Sequence, residues 1–255
     1  KAVRRWVDYG KWRSRRQDDW TPALIASGPP ASTGATTTLT EISSKAQLAA
    51  AGIAVAQARL VTSAAEAEAE AKTIGGSVAM KIVSPSLSHK TEVGGVRLGV
   101  KAEQVAEMHD EICATVALQC PDAKIQGVLI EPMAEPGGLE VLVGISRDSV
   151  FGYVMTFGLG GIHVELFRDV TRRILPVTLD MAREMTSELR SAALLSGHRG
   201  AQPRDIEALH AQMVALSDYV IAKGDCVEEI DLNPVWVGTM GQGAMALDAV
   251  VVERI

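Results

Sequence analysis

Apolar positions along the chain change period several times, and each change marks an element. Ile42, Ala46 and Leu48 to Ala50 recur at helical spacing and predict a helix ending at Gly52. The brief apolar stretch from Val55 to Val61 reads as strand. Ser63-Ala-Ala-Glu66 has the form of a capping box, in which two side chains satisfy amides that the first turn leaves free; it opens a helix through Ile74, closed by Gly75-Gly76. Val78 to Val83 is apolar on both alternations apart from Lys81, the pattern of a buried strand. A helix is predicted over Glu103 to Leu118 and a strand over Gly127 to Ile130.

Glu140 to Ile145 and Tyr153 to Phe157 flank Ser146-Arg-Asp-Ser149 and predict two antiparallel strands joined by a turn. Helices follow at Met181 to Leu195 and Asp205 to Ala222, the second terminated by Gly224. The chain ends in strands at Val227 to Leu232, Val235 to Val237 and Ala244 to Val252. Strands and helices mix without a strict βαβ alternation or an internal repeat. The predicted fold class is α+β, or mixed α/β, rather than a doubly wound sheet.

The opening of the chain does not follow this pattern. Residues 1–20 hold seven Lys/Arg against three Asp, and three of the four Trp (Trp6, Trp12, Trp20). Val3, Trp6 and Val7 fall on one face of a short helix over 2–16, which reads as packing against something outside the core; a nucleic-acid arm is the rival reading. Residues 21–39 are uncharged and rich in Pro, Gly, Ser, Thr and Ala, the composition of a linker, so a folded domain is expected from Thr40. Lys rather than Met at position 1 reads as a piece of a longer polypeptide.

Net charge is −6, and since the first twenty residues are basic, the remainder carries −10. That balance argues against a partner held through nucleic-acid phosphates. The three cysteines form no CxxC pair, which fits a reducing, cytoplasmic compartment. No apolar run approaches the roughly 18 residues that span a bilayer, so no membrane partner is expected.

Neither GxxxxGK[ST] nor GxGxxG occurs. The most informative run is KIVSPSLSHKTEVGGV, residues 81–96. A lysine in a buried strand is costly unless an anion meets its ammonium group, although a stem lying along the strand with its head in water gives the same pattern. Gly94-Gly95 allows amides to converge on phosphate oxygens, and His89 beside them can act as an acid, a base or a phosphoryl acceptor. In EEIDLNPV, Asp231 and Asn233 alternate and share a face, while Asp248 falls among apolar neighbours as if in mid-strand. Paired oxygen donors of this kind suit Mg²⁺. Glu131-Pro-Met133, with Glu140 beyond, is a strand end entering a polar bend, able to face an adenine edge and ribose hydroxyls. His109 and Cys113 share a helical face but have no further ligands nearby in sequence.

Five runs in order, KIVSPSLSHKTEVGGVRLGV, IEPM…EVLVGISRDSVFG, FGLGGIHVE, LLSGHRG and EIDLNPV…ALDA, resemble the ATP-grasp domain of NDP-forming (ADP-forming) acyl-CoA synthetases, related to the nucleotide-binding subunit of succinyl-CoA synthetase. The resemblance covers about residues 41–255. It implies two α+β subdomains, a smaller one over about 55–133 and a larger one over 134–255, with nucleotide between them. It implies an acid–thiol ligase using ATP, Mg²⁺ and CoA. By position, Lys81 would contact ATP phosphates and Gly94, Gly95 and Val96 would cover them. Glu131 and Met133 would lie along the adenine, Glu140 at the ribose, and Asn233 and Asp248 would hold Mg²⁺. His89 would be the phosphohistidine relay.

Thr91-Glu92 stands where relatives often show Ser-Asp, and His163 and His198 occupy places that are usually aromatic or otherwise different. His198, in SGHRG, therefore reads as structural. The CoA-binding and ligase domains of the complete enzymes match no segment here, so they are the expected partners, with a homo-oligomer left open. Residues 1–20 resemble the tail of a preceding ligase domain. A synthetase-like regulatory region of a protein lysine acetyltransferase, and a non-catalytic nucleotide-binding module, are the alternatives.

Overall fold

The computed structural model describes residues 34–87, 90–160, 169–198 and 200–255; the helix expected over 2–16, His89 and His163 lie outside them. Two antiparallel sheets organise this part of the chain. The smaller has the order β2-β5-β3-β4, from Arg59–Val61 (β2), Val78–Val83 (β3), Val96–Val100 (β4) and Gly127–Pro132 (β5). The larger runs β1-β11-β9-β6-β7-β8, from Thr36–Thr38 (β1), Leu139–Asp148 (β6), Gly152–Leu159 (β7), Val170–Ile174 (β8), Val227–Val237 (β9) and Ala249–Arg254 (β11); Ala244–Ala246 (β10) adds to β9.

Helices Ala64–Ile74 (α2) and Val105–Gln119 (α3) cover one face of the small sheet. Val78, Met80, Ile82, Val128 and Ile130 point that way, into a core with Ala67, Ala71, Ile112 and Val116. Ser63 caps α2 by accepting from Glu66 N, and Gly75 ends it in the left-handed region at φ 74°, a conformation that costs glycine little. The Glu66 carboxylate reaches back to Thr62 N at 2.8 Å.

Helices Leu179–Glu188 (α4), Ala192–Leu195 (α5) and Ile206–Lys223 (α6) supply Met181, Met185, Leu195, Leu209, Met213 and Leu216 to the core of the large sheet, against Val141, Val143, Phe157, Ile230 and Leu232. The helix Glu41–Ala50 (α1) joins this second core through Leu48. It is also pinned to β11, because Val251 N donates to Ser44 Oγ at 3.1 Å.

Several boundaries depart from the pattern reading. The expected linker is shorter, because Thr36–Thr38 pairs with Val252–Arg254 at the sheet edge; three threonines carry no apolar alternation to announce a strand. The helix expected over 181–195 breaks at Leu189, whose backbone is extended. The Asp169 carboxylate takes the amides of Arg190 and Ser191 at 3.0 and 2.8 Å and so competes with the helix for them. Arginine-rich β8 and glycine-containing β4 were not anticipated as strands. Ser146 to Asp148 belong to β6 rather than to the turn, and β9 runs unbroken through 233–234. Asp248 is not mid-strand: with Leu247 it forms the bend between β10 and β11.

Candidate active site

The face of the small sheet turned away from α2 and α3 carries Lys81 and Glu131. In the β3–β5 ladder Ala79 opposes Glu131 and Lys81 opposes Leu129, so the two charged residues are diagonal neighbours on one face. The large subdomain covers that face with α1 and the Leu247–Asp248 bend. On α1 the buried residues are Glu41, Ser44, Lys45 and Leu48, spaced i, i+3, i+4 and i+7: a core-facing stripe in which three of four members are polar.

These groups close on one another. Lys81 Nζ lies 2.8 Å from Glu41 Oε1, 2.7 Å from the Leu247 carbonyl oxygen and 3.0 Å from Glu131 Oε2. Lys45 Nζ uses the same acceptors, at 2.9 Å from Glu41 Oε1, 2.8 Å from Leu247 O and 2.5 Å from Glu131 Oε1. The other oxygen of Glu41 accepts from Lys90 Nζ, on the loop after β3. Each ammonium of the Lys45–Lys81 pair therefore meets three acceptors, one per N–H. Such burial of charge is tolerable only with partners on every side.

The electrostatics follow from that crowding. Burial pushes the Glu41 carboxyl up, but Lys81, Lys45 and Lys90 together outweigh burial and hold it well below the usual range. Burial likewise pushes Glu131 up; Lys81 and Lys45 offset only part of that, and Glu41 adds repulsion, so it ends above its ordinary value. Burial lowers Lys81, yet Glu41, Asp248 and Glu131 carry it above the ordinary lysine range. Asp248 is raised by burial and by Glu41, against the pull of Lys81, Lys90 and Lys45. One strand away, Asp231 is pushed up to about 6 by burial, Glu229 and Asp248.

The structure thus brings Lys81, Glu131 and Asp248 together and adds Glu41, Lys45 and Lys90. The Glu131 carboxylate is buried and bound by Lys45 and Lys81. Gly94 N donates to Thr91 O at 3.1 Å and Gly95 N to Lys90 O at 2.7 Å, so both amides are committed within the turn. Gly95 is needed for close approach: a Cβ there would meet Ile82 Cγ2 at 2.6 Å and Lys90 O at 2.9 Å. Val96, the first residue of β4, opposes Lys81 in the ladder.

Met133, just past β5, is partly exposed; its amide donates to Ser77 O and its Sδ accepts from Gly99 N, both at 3.3 Å. Glu140 is exposed on β6. Asn233 is exposed on β9, in alternation with Asp231, which opposes Gly144. His198 is exposed after α5. His109 is buried, with Nδ1 3.0 Å from Asp110 Oδ1, and belongs to the small-sheet side rather than to this cluster.

Glu41 and Lys45 escaped the sequence reading, which took the face of α1 from Ile42, Ala46 and Leu48. The signal available was a Glu–Lys pair at i, i+4 in register with Leu48 at i+7.

Among the described residues, no three His, Cys, Asp or Glu side chains gather as a metal cage. Mg²⁺ does not use such cages; it takes one or two carboxylates with phosphate and water oxygens. Asp248, half-buried on the bend after β10, and Asn233, exposed on β9, are oxygen donors of that kind. The donor set fits a hard divalent cation. Lysines 81 and 90 fit the phosphates that would accompany it.

Two antiparallel sheets of unequal size, with a buried lysine–carboxylate cluster where α1 covers the smaller one, fit the two α+β subdomains that the resemblance implies, and comparison with known proteins agrees. The chain belongs to the ATP-grasp family: residues 31–252 match the family's ATP-grasp domain. It is 41% identical over 219 residues to the acetate–CoA ligase [ADP-forming] II subunit beta of Pyrococcus furiosus, covering 86% of this chain and 92% of that one. It is 38% identical over 208 residues to the acetate–CoA ligase [ADP-forming] I of Archaeoglobus fulgidus, but spans only 30% of that longer chain.

Among solved structures, the dinucleotide-forming acetyl-coenzyme A synthetase 1 of Ca. Korarchaeum cryptofilum, in complex with coenzyme A and Ca-AMPCP, superposes with a TM-score of 0.80 at 37% identity, covering 86% of this chain and 94% of that one. The same protein with coenzyme A and Mg-AMPPCP, its phosphohistidine segment pointing towards the nucleotide-binding site, gives 0.73 at 34% identity, covering 86% and 93%.

Proposed function

We propose that this chain is the nucleotide-binding part of an ADP-forming acyl-CoA synthetase, an acid–thiol ligase. The complete reaction joins a carboxylic acid to CoA with conversion of ATP to ADP and phosphate, reversibly, and draws on CoA-binding and ligase domains as partners. A reducing cytosol is the compartment that fits. Among the described residues no helix is long and apolar enough to cross a membrane.

The observation that carries this reading is the meeting of Lys45, Lys81 and Lys90 around Glu41 and Glu131, where α1 covers the small sheet. Phosphoryl transfer asks a protein mainly for positioning and charge neutralisation. Lys81, anchored in a buried strand, and Lys90, on the loop that carries His89, are assigned to the phosphate oxygens. Val96 fixes the strand beside Lys81, and Gly94 and Gly95 shape the turn that holds Lys90. Met133 is assigned to the adenine and Glu140 to the ribose hydroxyls, while Glu131 forms the buried floor under the lysines. Asn233 and Asp248 would hold Mg²⁺, which supplies further neutralisation of phosphate charge when bound.

His89 is assigned the relay. A neutral ring nitrogen attacks the γ-phosphorus, a P–N bond forms as the bond to the bridging oxygen breaks, and ADP leaves. The phosphoryl group can then be passed on without release to water. The named relatives are ligases, which favours this reading over a regulatory region of an acetyltransferase.

Calorimetric titration with ATP, with and without Mg²⁺, tests the binding half. The expected result is Mg²⁺-dependent binding that Lys81→Met abolishes in a protein of unchanged secondary structure. Absence of nucleotide binding by the unaltered chain would overturn the reading.

A further inference from the structure

Lys81 cannot take a phosphate oxygen while keeping all of its present partners. Its three N–H groups face Glu41 Oε1, the Leu247 carbonyl and Glu131 Oε2, and its side chain is only 9% exposed. One acceptor has to yield. Leu247 O is main chain in a bend and is shared with Lys45. Glu131 lies beneath both lysines on an interior strand and is held by Lys45 as well. Glu41 differs from both. Its carboxylate takes Lys81 and Lys90 from the small subdomain, and also Lys45 from its own helix at 2.9 Å. If Lys81 and Lys90 turn to another anion, Lys45 remains with Glu41 at i, i+4 and no buried charge is left alone.

We propose that Glu41 is an internal counter-anion that exchanges with nucleotide phosphate on Lys81 and Lys90, with Lys45 as the partner that keeps Glu41 neutralised throughout. The proposal rests on the nucleotide-binding function above and adds to it a specificity element. Only a ligand that presents anionic oxygens to both ammonium groups at once replaces the two-oxygen grip of Glu41. A nucleoside without phosphates does not. The exchange also swaps a link between subdomains for a link to ligand, since the Glu41 pairs join α1 of the large subdomain to β3 and the following loop of the small one.

Glu41 makes charge-assisted hydrogen bonds to both lysines, so removing this competitor should be visible as a change in affinity. The experiment measures the dissociation constant of Mg-AMPPCP, and of adenosine, for the unaltered chain and for Glu41→Gln. Glu41→Asp serves as the second variant, because it keeps the charge for Lys45 while shortening the reach to Lys81 and Lys90.

Glu41→Gln is expected to bind Mg-AMPPCP about tenfold more tightly or better, Glu41→Asp to move the same way by less, and adenosine to bind equally weakly to all three. If the unaltered chain binds Mg-AMPPCP and neither variant binds it more tightly, the exchange is overturned while the functional reading stands. If no form binds Mg-AMPPCP, both fall together.

Discussion

Glu41 and Lys81, carried by different subdomains, meet at 2.8 Å with side-chain exposures of 1% and 9%. A pair so deeply placed does not act as a surface salt bridge. Removing one member leaves the other as a charge in a poorly solvating interior, which is where the large penalties of ion-pair mutagenesis arise.

Lys81→Met is therefore expected to lower unfolding free energy by about 3–5 kcal/mol, the range for breaking one side of a buried pair. Urea unfolding at neutral pH measures it. A loss below about 1 kcal/mol, the ordinary worth of an exposed pair, would mean that the cluster is solvated rather than buried.

The same pair gives a pH dependence of defined sign. The Glu41 carboxyl is held below its ordinary value of 4.5 in the fold. Between the two values the unfolded chain binds more protons, so stability falls as pH falls. The Glu41 contribution is complete above pH 4.5 and is lost as pH drops through the folded value. Glu131, raised by burial, has the opposite sign: its share of stability declines as pH rises past the ordinary glutamate range. Comparing unfolding free energies of the unaltered chain and Glu41→Gln between pH 7 and about pH 3 should show a steeper acid loss in the unaltered chain. Parallel curves would remove Glu41 as a titrating contributor.

How much of this was legible beforehand depended on whether chemistry and hydrophobic pattern pointed the same way. For β3 they did: five apolar residues and one lysine announced both a buried strand and a charged group needing an anion. The capping box at Ser63 and the glycine after Ile74 placed α2 to within a residue. On α1 they pointed apart, because the buried stripe is Glu41, Ser44, Lys45 and Leu48, and a reading that assigns burial to apolar residues puts that face in solvent. The Glu131 partners were illegible for a related reason, since Lys45 lies 86 residues away. Asp248 was found by its cost among apolar neighbours, although the bend that relieves the strand assignment was not.

Gly95→Ala tests the loop geometry. A methyl group there would lie 2.6 Å from Ile82 Cγ2 and 2.9 Å from the Lys90 carbonyl, both fixed by β3 and the turn. The expected cost is about 1–3 kcal/mol, the range for overpacking a filled interior, with nucleotide affinity reduced as Lys90 is displaced. Thermal unfolding and titration with Mg-ATP measure the two effects. An alanine variant unchanged in both would mean that the turn has room to spare.

Asp248→Asn tests the assignment of a divalent ion to the bend between β10 and β11. Removing one anionic oxygen donor should weaken the Mg²⁺-dependent part of ATP binding by about tenfold or more, a loss that even an indirect ligand partner can produce. Magnesium-free nucleotide binding should change much less. Equal losses with and without Mg²⁺ would instead make Asp248 a contributor to the general field of the lysine cluster.

The most direct measurement is transfer of label from γ-labelled ATP to protein in the presence of Mg²⁺, with and without the CoA-binding partner, followed by location of the modified residue. The relay assigned to His89 predicts an acid-labile, base-stable phosphate on His89 that is absent from His89→Asn, while both proteins bind ATP alike. Unlabelled His89 under both conditions, in a chain that binds Mg-ATP, would contradict it.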